Sequence, residues 1–264
     1  MTLRRITHLL VSLGLGFGLG SWAAGARAAQ DVVLYGDDDY PPYSYVEQGQ
    51  FKGLYVDLLR LAAKAMPGYR IDLQPRPWRR GLAELEKGTS FGLFPPGMKA
   101  ERTFIAPYSV PLYRETVALF CHPDVMKTAR KHFPADFSGL TIGVNAGFLL
   151  SQRLIDAAHL GLVTLEPAKG NEANLKKLAL KRIACYASDR AAARYSAKLL
   201  RGYLAQLDFT LLEALELSGE DTFIAYSANN TPPYKADFIA KMNAALELLR
   251  INGEAARIAN AYLH

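Results

Sequence analysis

The chain of 264 residues has little of what most catalytic and metal sites are built from. It contains two cysteines and five histidines, and no C-x-x-C or H-x-x-x-H spacing joins them. Zinc sites depend on such clusters, so we expect no metal and no cofactor. No Ser-His-Asp order typical of a hydrolase is present either, and no general base stands out.

Long hydrophobic runs are also absent, except at the N-terminus. Two arginines lie in the first eight residues, residues 9–25 are apolar or small, and Ala26-Arg27-Ala28 has the small-x-small pattern of a cleavage site. We therefore predict a signal peptide over 1–28, a mature chain from about Ala29, and a periplasmic location. The alternative is an uncleaved membrane anchor, which four glycines and a barely sufficient length disfavour.

A strong charge of one sign is missing as well. Loss of the leader removes three arginines and lowers the formal net charge from +6 to +3. The rest of the chain has no block of Lys and Arg, so nucleic-acid binding is not predicted. Half of the residues are hydrophobic, which suffices for one large domain or two smaller ones.

The two cysteines, Cys121 and Cys185, both lie in strand-like runs, VALFC and RIACYA. In an oxidising compartment such a pair can form a disulfide. Two buried thiols are the other interpretation. The sequence does not give the Cα separation that would decide between them.

Strands and helices alternate along the chain, which predicts an α/β fold with largely parallel sheets. In the first block we predict strands at 32–36, 70–74 and 91–94 and helices at 53–66 and 78–87. In the second block we predict strands at 141–144, 162–166 and 183–187 and helices at 148–158, 171–180 and 189–200. The C-terminal part is expected to contain an extended segment at 222–226, a helix at 235–250 and a last helix ending near 263.

The most informative run lies between Pro77 and Phe120. It begins with Trp78 and two arginines and continues to Glu101-Arg102 ahead of an aromatic-rich extended passage. Such a run offers flat apolar surface and a permanent cation, which suits binding of a small carboxylated molecule.

Several motifs together resemble the extracytoplasmic solute-binding proteins of family 3, the amino-acid-binding class that serves ABC importers, in a divergent branch with a Pro-Trp-Arg-Arg signature. The motifs are YGDDDYPPYSY, GLYVDLLRLAAKAM, PWRRGLAELEKG, KAERTF, FSGLTIGVNAG and KRIACYASDRAAARY. The resemblance covers essentially the whole mature chain and implies a type II periplasmic binding protein fold.

This resemblance implies two α/β lobes joined by two crossing strands. The first lobe would comprise 29–114 and 222–264, and the second would comprise 120–219. The chain would cross near 114–118 and again near 217–221. A ligand would bind in the cleft, and the lobes would close around it by a hinge motion.

The resemblance also assigns the two charged positions of the site. Arg102 matches the arginine that binds the ligand α-carboxylate, and Asp189 matches the acid that binds the α-ammonium. A surface ion pair with Glu101 is the alternative for Arg102, and a helix N-cap is the alternative for Asp189.

Three further side chains match ligand-contacting positions. Tyr40 and Trp78 match aromatics that enclose the ligand side chain, with ordinary core packing as the alternative. Asp37 matches a position that can meet the distal group of a ligand, and a solvated turn is its alternative.

The chain departs from the family where many members carry Ser or Thr. It has Pro95 and Gly97 in the first lobe, and Gly147 is followed by Phe148 and Leu149 in the second. Backbone N–H groups near Gly97 and Phe148 are expected to replace the missing hydroxyls.

The resemblance implies a monomeric protein that captures a small amino-acid-like or organic-anion ligand and delivers it to the membrane permease of an ABC importer. Two alternatives remain open. One is an enzyme of the same fold, similar to periplasmic cyclohexadienyl dehydratases, and the other presents its ligand to a sensor.

Overall fold

The computed structural model describes residues 29–146 and 151–263. The predicted signal peptide and Phe148 lie outside these residues. Within them, no helix has both the length and the apolar character needed to cross a membrane.

The chain forms strands and helices in alternation. The strands in chain order are β1 Gln30–Asp37, β2 Asp39–Tyr40, β3 Ser44–Glu47, β4 Gln50–Lys52, β5 Tyr69–Arg76, β6 Gly92–Phe94, β7 Ile105–Tyr108, β8 Tyr113–Cys121, β9 Thr141–Asn145, β10 Thr164–Ala168, β11 Cys185–Asp189, β12 Leu212–Thr222 and β13 Ala225–Ser227. The helices are α1 Leu54–Lys64, α2 Trp78–Glu86, α3 Gln152–His159, α4 Gly170–Ala179, α5 Arg190–Leu199, α6 Arg201–Gln206, α7 Lys235–Ile251 and α8 Glu254–Leu263.

Two five-stranded sheets form the framework. The first has the order β5-β1-β6-β13-β7, and the second has the order β10-β9-β11-β8-β12. In each sheet the three strands of a β-α-β-α-β unit run parallel, as predicted. One strand next to each unit is antiparallel to it, β13 in the first sheet and β8 in the second. A small antiparallel sheet, β2-β3-β4, follows β1 and was not predicted.

The long strands β8 and β12 connect the two sheets. They pair in antiparallel direction along their whole length, from Leu212 opposite Cys121 to Thr222 opposite Tyr113. Beyond this pair, Phe223 N donates to the carbonyl of Pro96 next to β6, which ties the end of β12 to the first sheet.

Each sheet has its own apolar core. In the first, α1 and α7 pack together, and the buried face of α7 is the one predicted from helical spacing: Phe238, Met242, Ala245, Leu246 and Leu249. Two further clusters lie on the two faces of the second sheet. Helix α5 contacts both parts, because Ala191 packs in the first core and Ala193 in the second.

A disulfide joins Cys121 at the end of β8 to Cys185 at the start of β11. The two residues are direct cross-strand partners. Of the two interpretations left open by the sequence, the structure therefore has the disulfide.

In the second block, several strands and helices begin at other residues than the sequence predicted. Strands β10 and β11 begin about two residues later than predicted, and Asp189 both ends β11 and caps α5, which begins at Arg190. The described part of the first helix in this block begins at Gln152, and a separate short helix, α6, follows α5.

Candidate functional site

The predicted site residues cluster at the carboxyl ends of the parallel strands. Asp37 ends β1, Trp78 begins the helix after β5, Gly97 follows β6, and Asp189 ends β11. Ligands of open α/β sheets bind at these ends. Both sheets therefore place these residues at or just after the carboxyl ends of their parallel strands.

Arg102 lies beside Gly97 and Trp78. Its Nη1 donates to the Gly97 carbonyl at 3.2 Å, and its Cζ lies 5.9 Å from the centre of the Trp78 ring. Among residues 29–146 and 151–263, no carboxylate lies within 4 Å of its guanidinium nitrogens, so the alternative ion pair with Glu101 is not formed. Most donors of this partly buried guanidinium remain available to an anion.

Asp189 is the N-cap of α5. It therefore has the capping role that the sequence analysis gave as the alternative to ligand binding. Its Oδ1 accepts from Ala192 N at 2.8 Å and from the Tyr43 hydroxyl at 2.9 Å, and Oδ2 accepts from Thr116 N at 3.3 Å. Burial raises the pKa of Asp189 in spite of these hydrogen bonds, which favour the charged form.

Glu115 on β8 is a site residue that the sequence reasoning missed. Its two carboxylate oxygens accept from the Tyr40 hydroxyl at 2.6 Å and from the Tyr55 hydroxyl at 2.5 Å. Burial and the neighbouring charge of Asp189 raise its pKa well above the ordinary value. The sequence contained a signal, because the motif RETVALF places an acid in a strand expected to cross between the lobes.

Glu220 on β12 is the second missed acid. It is the cross-strand partner of Glu115, so both side chains leave the β8-β12 ribbon on the same face. A Cβ atom at Gly97 would lie 2.7 Å from its Oε1. Burial raises the pKa of Glu220, while the charges of Lys99 and Arg102 act in the opposite direction. Glu220 thus interacts electrostatically with both Arg102 and Glu115.

The predicted aromatic residues occupy two different places. Tyr40 bonds to Glu115, and its ring lies 5.0 Å from that of Tyr43, which in turn stacks on Tyr55 at 5.1 Å. Trp78 packs at the edge of the small cluster around Leu93. Each ring is partly buried, and both positions are compatible with walls on two sides of a ligand.

Asp37 does not lie in a fully solvated turn. It is partly buried at the end of β1, and its Oδ1 accepts from Asp39 N at 3.2 Å. Burial is the main cause that raises its pKa to about 6. A cation brought close to Asp37 would favour its charged form.

A cavity of about 200 Å³ adjoins Asp189. Tyr43, Tyr113 and Thr116 line one part of it, and Arg190 and Arg194 line another. Both arginines pair with Glu213, at 2.7 and 2.8 Å, and Arg190 also lies 3.3 Å from Glu216, so two carboxylates face the two guanidinium groups. Within the described residues, no group of three or more His, Cys, Asp and Glu side chains is arranged to hold a metal ion.

These features define a mixed α/β protein with two sheets, a connecting ribbon and a polar site at the strand ends, the architecture of type II periplasmic binding proteins. Residues 32–264 match the bacterial extracellular solute-binding proteins, family 3, and the chain belongs to this family. Comparison with curated proteins found no match.

Solved structures support the same fold. An ancestral cationic amino acid solute binding protein has 18% identity and a TM-score of 0.68, over 89% of this chain and 96% of that one. Substrate binding domain 2 of GlnP from Lactococcus lactis has 19% identity and a TM-score of 0.68, over 89% and 95%. A histidine kinase sensor domain with similarity to periplasmic binding proteins has 20% identity and a TM-score of 0.66, over 90% and 97%. At these identities the likeness shows the fold alone.

Proposed function

We propose that this chain is a periplasmic solute-binding protein that captures an amino-acid-like ligand between two lobes and delivers it to the permease of an ABC importer. The observation that carries the proposal is Arg102, a partly buried guanidinium with no carboxylate partner in the described part of the chain. A ligand carboxylate could form charge-assisted hydrogen bonds with the guanidinium donors that the Gly97 carbonyl leaves open.

The two lobes would be 29–114 with 222–264 and 120–219, with the β8-β12 ribbon as the hinge. Arg102 is then on one lobe and Asp189 on the other, and one zwitterionic ligand can bridge them. Each lobe alone offers only half of the polar contacts, so binding and closure are coupled. Phe148 and Gly97 would contribute backbone donors, and Tyr40, Trp78 and Asp37 would surround the ligand side chain.

Neighbouring structures are consistent with this ligand class. One is an ancestral arginine-binding protein bound to arginine, and another is the same kind of protein bound to glutamine. The secreted location follows from the family, and we further propose that the leader is cleaved after Ala28 and that the mature protein acts as a monomer.

The test is a thermal-shift and calorimetry screen of the mature protein against amino acids, polyamines and organic anions, followed by mass spectrometry of each binder after prolonged incubation. A ligand present at a hundred times its Kd should stabilise the fold by about 2.7 kcal/mol. We expect a binder that is recovered unchanged. A screen in which nothing stabilises the protein would contradict the proposal.

An enzyme is the second candidate, and Glu115 is the observation that favours it. A carboxyl group that burial keeps protonated inside a cleft is suited to general-acid catalysis. One structural neighbour is an ancestral amino-acid-binding protein described as a precursor of cyclohexadienyl dehydratase. Turnover of any binder, abolished by Glu115→Gln, would establish this alternative. The sensor alternative has a structural neighbour too, and it would be tested by capture of a sensor kinase instead of a permease.

A further inference from the structure

We propose that Glu115 determines ligand specificity, forming with Asp189 a two-carboxylate subsite that selects ligands with a cationic nitrogen group in addition to the α-ammonium. The inference rests on the proposed function, because it concerns the same cleft. It adds a residue that lies on the hinge ribbon, outside the strand-end loops that supplied the predicted site.

The geometry gives the first argument. Glu115 and Asp189 come from adjacent antiparallel strands, since Asp189 is opposite Val117 on β8. A continuous set of tyrosines joins them: Tyr43 bonds to Asp189 and stacks on Tyr55, which bonds to Glu115. The tyrosine hydroxyls fix both carboxylates in position.

The charges around the pair give the second argument. Asp189 and Glu220 are the charged groups that act on Glu115, and the other groups that face it are the hydroxyls of Tyr40 and Tyr55. Asp189 faces backbone N–H groups and Tyr43, while the adjacent Arg190 is bound to Glu213.

Two cations, Arg190 and Arg194, line the cavity beside Asp189, but both are paired with acids of β12, Glu213 and Glu216. Lys99 and Arg102 act on Glu220, and within the described residues no Lys or Arg lies within 4 Å of the carboxylate oxygens of Glu115, Asp189 or Glu220. Glu115, Asp189 and Glu220 therefore have no cation in ion-pair contact among the described residues.

The protonation of the pair follows from this lack of a paired cation. Burial and the charge of Asp189 raise the pKa of Glu115, so this carboxyl group keeps a proton that a ligand cation can replace. Binding of a cationic ligand should therefore release up to about one proton at neutral pH. A neutral side chain offers no charge to replace that proton and leaves it on Glu115.

The test uses two matched pairs of probes, L-arginine with L-citrulline and L-lysine with L-norleucine. Each pair has nearly the same shape and differs in the distal charge. Calorimetry at pH 7 in phosphate and in Tris, whose ionisation enthalpies differ, reports affinity and proton release together. Wild type, Glu115→Gln and the surface control Glu172→Gln, on the exposed side of α4, would be compared.

We expect a cationic probe to bind at least about 30-fold more tightly than its neutral partner, with proton release. Glu115→Gln should remove both the preference and the proton release and leave the weak binding of the neutral probe unchanged. Glu172→Gln should behave as wild type. A loss of affinity confined to the cationic probe indicates that Glu115 determines specificity. An equal loss for both probes indicates a structural role.

Three results would overturn the inference. The neutral probes could bind as tightly as the cationic ones, Glu115→Gln could weaken both members of a pair equally, or no cationic probe could bind. The first two leave the proposed function intact, because a neutral amino acid would still be captured. If no cationic probe binds and the wider screen also finds no binder, the proposed function is contradicted as well.

Discussion

Glu115 and Glu220 are cross-strand partners on β8 and β12, the two strands that connect the sheets. The pairing places two carboxylates on one face of the connecting ribbon, next to a third at Asp189. Like charges at such positions are unfavourable, and partial burial increases the cost of ionising them. The connecting ribbon therefore carries an electrostatic cost that a nearby cation would reduce.

Asp189→Ser separates the two roles of Asp189. Serine is as good an N-cap as aspartate, but it leaves the Tyr43 hydroxyl and Thr116 N without their acceptor, so the free energy of unfolding should fall by about 1–3 kcal/mol. The carboxylate that we expect to bind the ligand ammonium is removed, and affinity should fall by about 30-fold or more. Chemical unfolding and calorimetry on the same sample check both parts. A variant that binds as wild type would leave Asp189 with its capping role alone.

The stability of the ligand-free protein should fall as pH rises from 5 to 8. Glu115 has an ordinary pKa of 4.5 that the fold raises, so the native state holds more protons than the unfolded state above that pH. Its stabilising contribution is complete at low pH and is lost as pH rises through the raised pKa. Asp37, with a pKa of about 6, acts in the same direction.

Thermal unfolding at pH 5 and pH 8 would measure this dependence. We expect a lower midpoint at pH 8 for wild type and a clearly smaller difference for Glu115→Gln, which cannot ionise. Each kcal/mol corresponds to about 2–4 °C in a protein of this size. An unchanged difference in Glu115→Gln would mean that Glu115 is not the group that titrates.

Much of this fold could be predicted, because helical periodicity and short apolar strands mark the two β-α-β-α-β units directly. The apolar face of α7 is one such case. The long strands β8 and β12 were expected only as crossing points, since their exposed and buried residues alternate irregularly.

The predicted site was incomplete for a related reason. Arg102 and Asp189 belong to recognisable motifs, whereas Glu115 and Glu220 acquire their environment from pairing across about a hundred residues of chain. No local pattern shows that Tyr40 and Tyr55 will bond to the same carboxylate. Burial and charge proximity of this kind arise only from the tertiary structure.

Gly97→Ser would restore a hydroxyl side chain of the kind found in many family members. Its Cβ would lie 2.7 Å from Oε1 of Glu220, so the Glu220 carboxylate must shift. Because the displaced group is the end of a flexible side chain, stability should change by less than about 1 kcal/mol. Affinity for the ligand should fall about fivefold. Gly202→Ala, which meets no neighbouring atom, is the control and should bind normally.

Removal of the disulfide should reduce stability and leave the site competent. Cys121 and Cys185 are separated by 64 residues, and closure of a loop of this length contributes about 4 kcal/mol through the entropy of the unfolded chain. Cys121→Ala/Cys185→Ala should therefore unfold at lower denaturant concentration and bind with an affinity within about threefold of wild type. A large loss of affinity in the folded variant would show that the bond also positions Glu115 and Asp189.

The most direct test of the central claim is calorimetry of the tightest binder from the screen with Arg102→Ala, beside Arg80→Ala as the control. Arg80 belongs to the same arginine-rich run but is exposed and already paired with Glu84 at 2.7 Å. We predict that Arg102→Ala loses about 2–5 kcal/mol, or about 30- to 4,000-fold in affinity, with folding intact. Arg80→Ala should bind as wild type. Binding by Arg102→Ala within threefold of wild type would contradict the account, because the ligand carboxylate would then have another partner.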